Sequence, residues 1–256
     1  MPTAAQESAA QYLFAARARG TPGARIPEAF RPADVGSALA IQRRVAALVG
    51  ADVGGWKCSV PSATRSVLAA PIFAPAIHRG SPCPLPAAGG IAKIEPEVAF
   101  RIGRDLPPRA TPYSEEEIRA AVGDAHVVIE LIGARYSDPG SVSYPELLAD
   151  GVANAGLFVG PAIANPFERT LEHFPLVVRT SAGPLHTREG KHPDGHPLLP
   201  LYWLANYLAA RGDFLRAGQV VTTGSYAGVL EVPVDTPLTF AYGELGEFTV
   251  TFTAAA

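Results

Sequence analysis

Glu95-Pro96-Glu97 and, further along, Glu130 are the residues whose types and setting point most directly to chemistry. In an extended segment, residues i and i+2 share a face, so the carboxylates of Glu95 and Glu97 project together. Two like charges this close repel unless something positive sits between them. A solvated strand face would account for the pair without any ligand. Glu130 changes the weighting. It lies in Val127-Val128-Ile129-Glu130-Leu131-Ile132, a run that is otherwise apolar on both faces. A carboxylate there is costly to bury unless it is paired or bound to a metal. Arg135 is the obvious ion-pair partner in the first case. In the second, three glutamates offer hard oxygen ligands that suit Mg2+ or Mn2+ better than zinc, with octahedral positions left open for substrate and water.

Lys57 stands in Gly55-Trp56-Lys57-Cys58-Ser59, an apolar strand in a chain with only three lysines. It could offset the negative charge of the glutamates or handle a proton, or it could simply lay its stem along apolar surface. The strand Gly218 to Ser225 ends in Thr223-Gly224-Ser225, where glycine lets backbone N–H groups approach an anion. His192 and His196 have helical i, i+4 spacing, but Pro193, Gly195 and Pro197 forbid a helix and mark them as loop residues. There is no nucleophile elbow, P-loop or dinucleotide fingerprint.

The elements that must position these groups follow from periodicity. Ser8 to Arg19 and Pro32 to Val49 read as helices, the second capped by Asp34 and stopped by Gly50. Residues 91–102 alternate as a half-buried strand, with Pro96 implying an edge or a bulge because it cannot donate a ladder hydrogen bond. Ser114 and Glu117 form a capping box opening a helix through Val122. Further strands are expected at His126 to Ile132, Leu157 to Val159 and through the C-terminal stretch. Helices are expected at Tyr144 to Asp150 and Leu198 to Arg211. The Pro/Gly-rich loop 81–90 is the expected boundary between an N-terminal helical cap, residues 1–80, and a main domain, residues 81–256. The fold class is α+β, with a mostly antiparallel, rolled or barrel-like sheet.

Composition narrows the partners. The 256 residues are 48% hydrophobic and 18% charged, with a formal net charge of −3, so neither a polyanion nor an anionic membrane surface is an expected partner. The N-terminus lacks a secretion signal, no segment is apolar for the length of a bilayer, and Cys58 and Cys83 form no CxxC pair. A cytoplasmic location is therefore expected.

Taken together, these segments resemble the 2-keto-4-pentenoate hydratase and 4-oxalocrotonate decarboxylase branch of the fumarylacetoacetate hydrolase superfamily. Ile94-Glu95-Pro96-Glu97-Val98-Ala99-Phe100 is similar to that family's E-x-E-[IV]-A strand. Ile129-Glu130-Leu131-Ile132-Gly133-Ala134-Arg135-Tyr136 is similar to its [LI]-E-[VI]-x-x-S-R strand. Gly55-Trp56-Lys57, Gly195-His196-Pro197 and Ala217 to Ser225 match further motifs in the right order. The resemblance implies Mg2+ or Mn2+ on Glu95, Glu97 and Glu130, and Lys57 as the catalytic residue. It also implies substrate contacts from Ser59, Val60, Thr223 and Arg135, and a homo-oligomer. The implied reaction is hydration of a small 2-hydroxydienoate or 2-oxo acid. Decarboxylation of a 2-oxo-3-enedioate, hydrolysis of an acylpyruvate, and a non-catalytic partner subunit are the alternatives. Three motifs depart from the pattern. The family's G-L-T after the lysine is here Ser59-Val60-Pro61, its P-D-[FY]-G is Pro71-Ile72-Phe73-Ala74 with no acid, and its A-D-N-A-S is Ala149-Asp150-Gly151-Val152-Ala153.

Overall fold

A computed structural model describes residues 2–63 and 65–255. The chain begins with two helices, α1 (Ala4–Arg19) and α2 (Val35–Val49). Thr3 and Gln6 close a capping box on α1, and the Asp34 side chain accepts from Ser37 N on α2 at 2.7 Å. Their apolar faces, Leu13 and Ile41 among them, pack with Ile26, Tyr136 and Leu148 into a small core of their own.

Strands follow directly: β1 (Val53–Ser59), β2 (Leu68–Phe73), β3 (Ile77–His78), β4 (Cys83–Leu85), β5 (Ala87–Ala88) and β6 (Ile91–Ile102). Then come α3 (Glu115–Arg119), β7 (Val122–Ile132), α4 (Tyr144–Ala149), β8 (Asn154–Ala162), β9 (His173–Thr180), β10 (Gly183–Lys191) and α5 (Leu198–Ala209). The chain closes with β11 (Val220–Thr222), β12 (Leu230–Pro233), β13 (Pro237–Tyr242) and β14 (Glu247–Ala254). Among the described residues one sheet runs β2-β1-β11-β6-β7-β8-β3, with β5 and β12 also paired to β6, and a second runs β10-β9-β13-β14-β4. Most pairings are antiparallel. The pairs β1/β11, β3/β8 and β4/β14 are parallel, so the sheet is mixed as expected for the α+β class. No helix among the described residues is long and apolar enough to cross a membrane.

Two expectations need correction. Residues 53–78 supply β1, β2 and β3 to the main sheet, so the helical cap ends near residue 50 rather than 80. Residues 81–90 themselves carry two short strands, β4 of the second sheet and β5 of the first. Pro96 occupies neither an edge nor a bulge: β6 is central and its register with β7 runs unbroken past Pro96. On the other side β6 pairs with β12 at residues 91–94 and with β11 at residues 99–101, leaving a gap between. Pro96 falls in that gap, where its missing N–H interrupts no ladder, and its carbonyl accepts from Tyr226 N at 3.0 Å.

Candidate metal and active site

The register of three neighbouring strands builds the site. Glu95 on β6 lies directly opposite Glu130 on β7, and Glu97 is two residues on, so all three carboxylates share one face. One oxygen from each falls within 4.8 Å of the others. On the far side of β6, β11 pairs with it and β1 pairs with β11, which sets Lys57 beside Thr222. β1 approaches β11 so closely that a Cβ on Gly55 would stand 2.3 Å from the Val220 carbonyl. Glycine before Trp56-Lys57 is thus what lets the strand carrying the lysine join the sheet.

Glu130 and Glu97 are buried and Glu95 is half-buried. Glu130 Oε1 accepts from Lys57 Nζ at 2.7 Å and from Asn154 Nδ2 at 2.8 Å. Its other oxygen, Oε2, is buried without a hydrogen-bond partner among the described residues. Glu97 Oε2 accepts from the Thr222 hydroxyl and from Gly224 N, the latter at 2.8 Å. Burial, then Glu130 and Glu95, push the Glu97 carboxyl up to about 8 against the opposing bond from Thr222. Burial and Glu130 raise Glu95 as well. Burial works against the charge on Lys57, yet the carboxylates led by Glu130 outweigh it and raise its pKa. Three carboxylates against one ammonium carry an excess of negative charge that no other cation among the described residues offsets at contact distance. An orphaned buried carboxylate oxygen among hard donors is the setting a divalent cation satisfies. The residues present fit such an ion.

A second device holds Lys57. Gly151, Val152 and Ala153 run through the left-handed region at φ 79°, 54° and 58°. For β-branched Val152 this is strained backbone. The conformation turns the Val152 carbonyl to Lys57 Nζ at 3.2 Å. Behind it, the buried Asp150 carboxylate takes Arg135 Nε at 2.5 Å, and Arg17 of α1 donates to the Asp150 carbonyl at 2.6 Å.

Glu95 and Glu97 open onto a cavity of about 370 Å3, whose wall includes Lys57, Ser59, Arg65 and Gly224. The expected site residues divide. Lys57, Ser59, Glu95 and Glu97 line this space, and Glu130 is buried behind it, in reach of the other two glutamates and of Lys57. Arg135 does not: it is occupied by Asp150 and by the Gly133 and Asn154 carbonyls, so it is neither a cavity residue nor the partner of Glu130. Thr223 turns the other way, donating to Val98 O at 3.1 Å, while Thr222 one position earlier reaches Glu97. Val60 N and the Ser59 hydroxyl both donate to Asp194 Oδ2, at 3.0 and 3.2 Å. Ile72, which the resemblance sets where an acid is expected, is fully buried in an apolar cluster. Sequence reasoning missed Asn154, Asp194, Thr222 and Arg65. Of these, only Thr222 carried a signal, as a neighbour of the turn that was noticed.

We expect Thr222→Val to weaken Mg2+ or Mn2+ binding about tenfold, the lower range for losing a partner of a metal ligand. It should also lower stability by about 1–3 kcal/mol through an unsatisfied buried acceptor. Calorimetric titration giving wild-type affinity would remove Thr222 from the site.

No family model matches the chain. Among curated relatives it is 26% identical over 240 residues to 2-keto-4-pentenoate hydratase of Paraburkholderia xenovorans, covering 89% of this chain and 87% of the relative. It is 29% identical over 242 residues to 2-keto-4-pentenoate hydratase 2 of Dechloromonas aromatica, covering 89% and 90%. Among solved structures, 4-oxalocrotonate decarboxylase from Pseudomonas putida G7, complexed with magnesium and adipate, superposes with a TM-score of 0.77 over 97% of both chains at 20% identity. The curled mixed sheet is the fold of the fumarylacetoacetate hydrolase superfamily, as the likeness to this solved structure shows, and it carries an acidic triad on one face. In sequence the chain is similar to 2-keto-4-pentenoate hydratases and 4-oxalocrotonate decarboxylases.

Proposed function

We propose that this protein is a Mg2+- or Mn2+-dependent lyase acting on a small 2-hydroxydienoate or its 2-oxo tautomer, with hydration as the leading reaction. The observation that carries the reading is the convergence of Glu95, Glu97 and Glu130 beside Lys57, with one Glu130 oxygen orphaned. The names of the curated relatives support it. A bound divalent ion would supply Lewis acidity toward the substrate's carboxylate and 2-oxygen. Lys57 does the rest of the polar work. Two of its three N–H groups are committed to Glu130 and the Val152 carbonyl, which fixes the ammonium and leaves one N–H for a substrate oxygen. Its raised pKa keeps that proton in place at neutral pH. Two free, buried cysteines accord with a reducing cytoplasm. We also carry the family's homo-oligomeric state as part of the proposal.

One observation favours a second reading. Water addition needs a group to activate the water. Among the described residues the only acids in the cavity wall are Glu95 and Glu97, and Ile72 stands buried where the family's acid is expected. Decarboxylation of a 2-oxo-3-enedioate requires no such group. Hydrolysis of an acylpyruvate is less favoured, because no histidine lines the cavity among the described residues. Protein loaded with Mg2+ should be assayed on 2-hydroxypentadienoate beside 2-oxohex-3-enedioate. Water addition is expected. CO2 release without it would replace hydration by decarboxylation, and no metal-dependent turnover of either would assign the chain to a non-catalytic partner role.

A further inference from the structure

The donors that the sequence suggested for a substrate carboxylate are already occupied. Asp194 Oδ2, from the loop between β10 and α5, takes both the Val60 N–H and the Ser59 hydroxyl. Lys57 is drawn to Glu130. One cation of the cavity wall remains uncommitted. Arg65 lines the cavity, is exposed, and has no carboxylate within ion-pair distance among the described residues.

Arg65 is also held at the rim rather than left on a loose loop. Its N–H donates to the Ser62 carbonyl at 3.2 Å, and Ser62 N donates to its carbonyl at 2.8 Å, closing a tight turn. Two residues further on, the Val67 carbonyl accepts from the Tyr144 hydroxyl, which ties the loop to α4. Arg65 and Lys57 line the same cavity.

We propose that Arg65 is a specificity-determining residue that meets a second carboxylate at the far end of the substrate, so that the preferred ligand is a 2-oxo dicarboxylate. The inference rests on the function proposed above, since it takes the 2-oxo acid end to lie at the glutamates. Lys57, a divalent ion and the three glutamates sum to no net charge. The substrate's first carboxylate then meets the ion, and a second one would stay uncompensated in the cavity without Arg65. A guanidinium is suited to this because its planar fork grips a carboxylate with two parallel N–H bonds. The cavity of about 370 Å3 has room for a six-carbon chain.

The test is calorimetric binding to the Mg2+-loaded protein, wild type against Arg65→Gln, using oxalate, 2-oxohexanoate and 2-oxoadipate. Wild type is expected to bind 2-oxoadipate roughly tenfold more tightly than 2-oxohexanoate, the scale of one charge-assisted hydrogen-bond pair at a partly exposed site. R65Q should lose that preference while binding oxalate, which is too short to reach position 65, as wild type does. A wild-type protein without the preference, or an R65Q variant that keeps it, would overturn the assignment of Arg65 and leave the proposed function standing. If neither protein binds oxalate in the presence of Mg2+, the proposed function falls and this inference with it.

Discussion

Glu97→Ala should cut Mg2+ and Mn2+ affinity by at least about a hundredfold, because even partners of metal ligands are worth 10–100-fold and Glu97 is itself a candidate ligand. The loss should be visible in calorimetry and in the disappearance of metal-induced thermal stabilisation, which for wild type reaches about 2.7 kcal/mol at a hundred times the Kd. The alanine leaves the Thr222 hydroxyl and Gly224 N without their acceptor, so the fold control is Glu97→Gln, which keeps an acceptor oxygen and loses the charge. A folded Glu97→Gln protein with undiminished metal affinity would dismantle the triad.

The same residue predicts a pH signature. In the metal-free protein Glu97 is held at about 8, above the 4.5 of an ordinary glutamate, so the folded state binds more protons than the unfolded state between those values. Stability should therefore be highest below about pH 4.5 as far as this group is concerned, and should fall as pH rises through about 8. Added Mg2+ or Mn2+ competes with the proton and should stabilise the protein more at pH 8 than at pH 5. Thermal melts of the metal-free and metal-loaded protein across that range check the sign. A metal effect that shrank toward pH 8 would contradict it.

Lys57→Met should leave the fold and metal binding largely intact while lowering kcat by about 10²–10⁴-fold, the range for losing a positioned proton donor. Methionine keeps most of the buried stem's volume and removes only the ammonium. Glu130 then loses its contact cation, which favours a bound divalent ion rather than opposing it. Rapid kinetics on the metal-loaded variant, beside a titration of metal affinity, separates the roles. Wild-type turnover would return Lys57 to a structural part.

Much of this was legible in the sequence where the signal is local. The strand around Glu95 and Glu97, the misplaced Glu130 and the capping box at Ser114 each depend on residues a few positions apart, and each reappears in the structure, although residues 96–100 are buried on both faces where the alternation predicts a half-buried strand. Contacts set by register between distant strands were not legible. Nothing near Glu130 announces Asn154 as its partner, since that pairing depends on how β7 and β8 fall in the sheet, while Lys57 was legible as a counter-charge but not as the contact of this particular glutamate. Thr223 was named where Thr222 reaches Glu97, because a motif locates a turn but not the phase of a strand whose side chains alternate. Arg135 was offered to substrate or to Glu130 because it follows the glutamate strand, while the acid that claims it lies fifteen residues away at Asp150. The boundary expected at residues 81–90 rests on local composition, whereas β1 to β3 join the main sheet through partners far along the chain.

The left-handed run Gly151-Val152-Ala153 ties the two parts of the molecule together. Its carbonyl steadies Lys57, and the turn that presents this carbonyl is fastened from behind by a side chain of the first helix, Arg17, on Asp150. The helical cap is thus no detachable module that could be trimmed or exchanged between relatives while the catalytic sheet carried on unchanged. Any graft onto this scaffold has to carry an arginine at that helix position, or re-engineer the loop that aims the lysine.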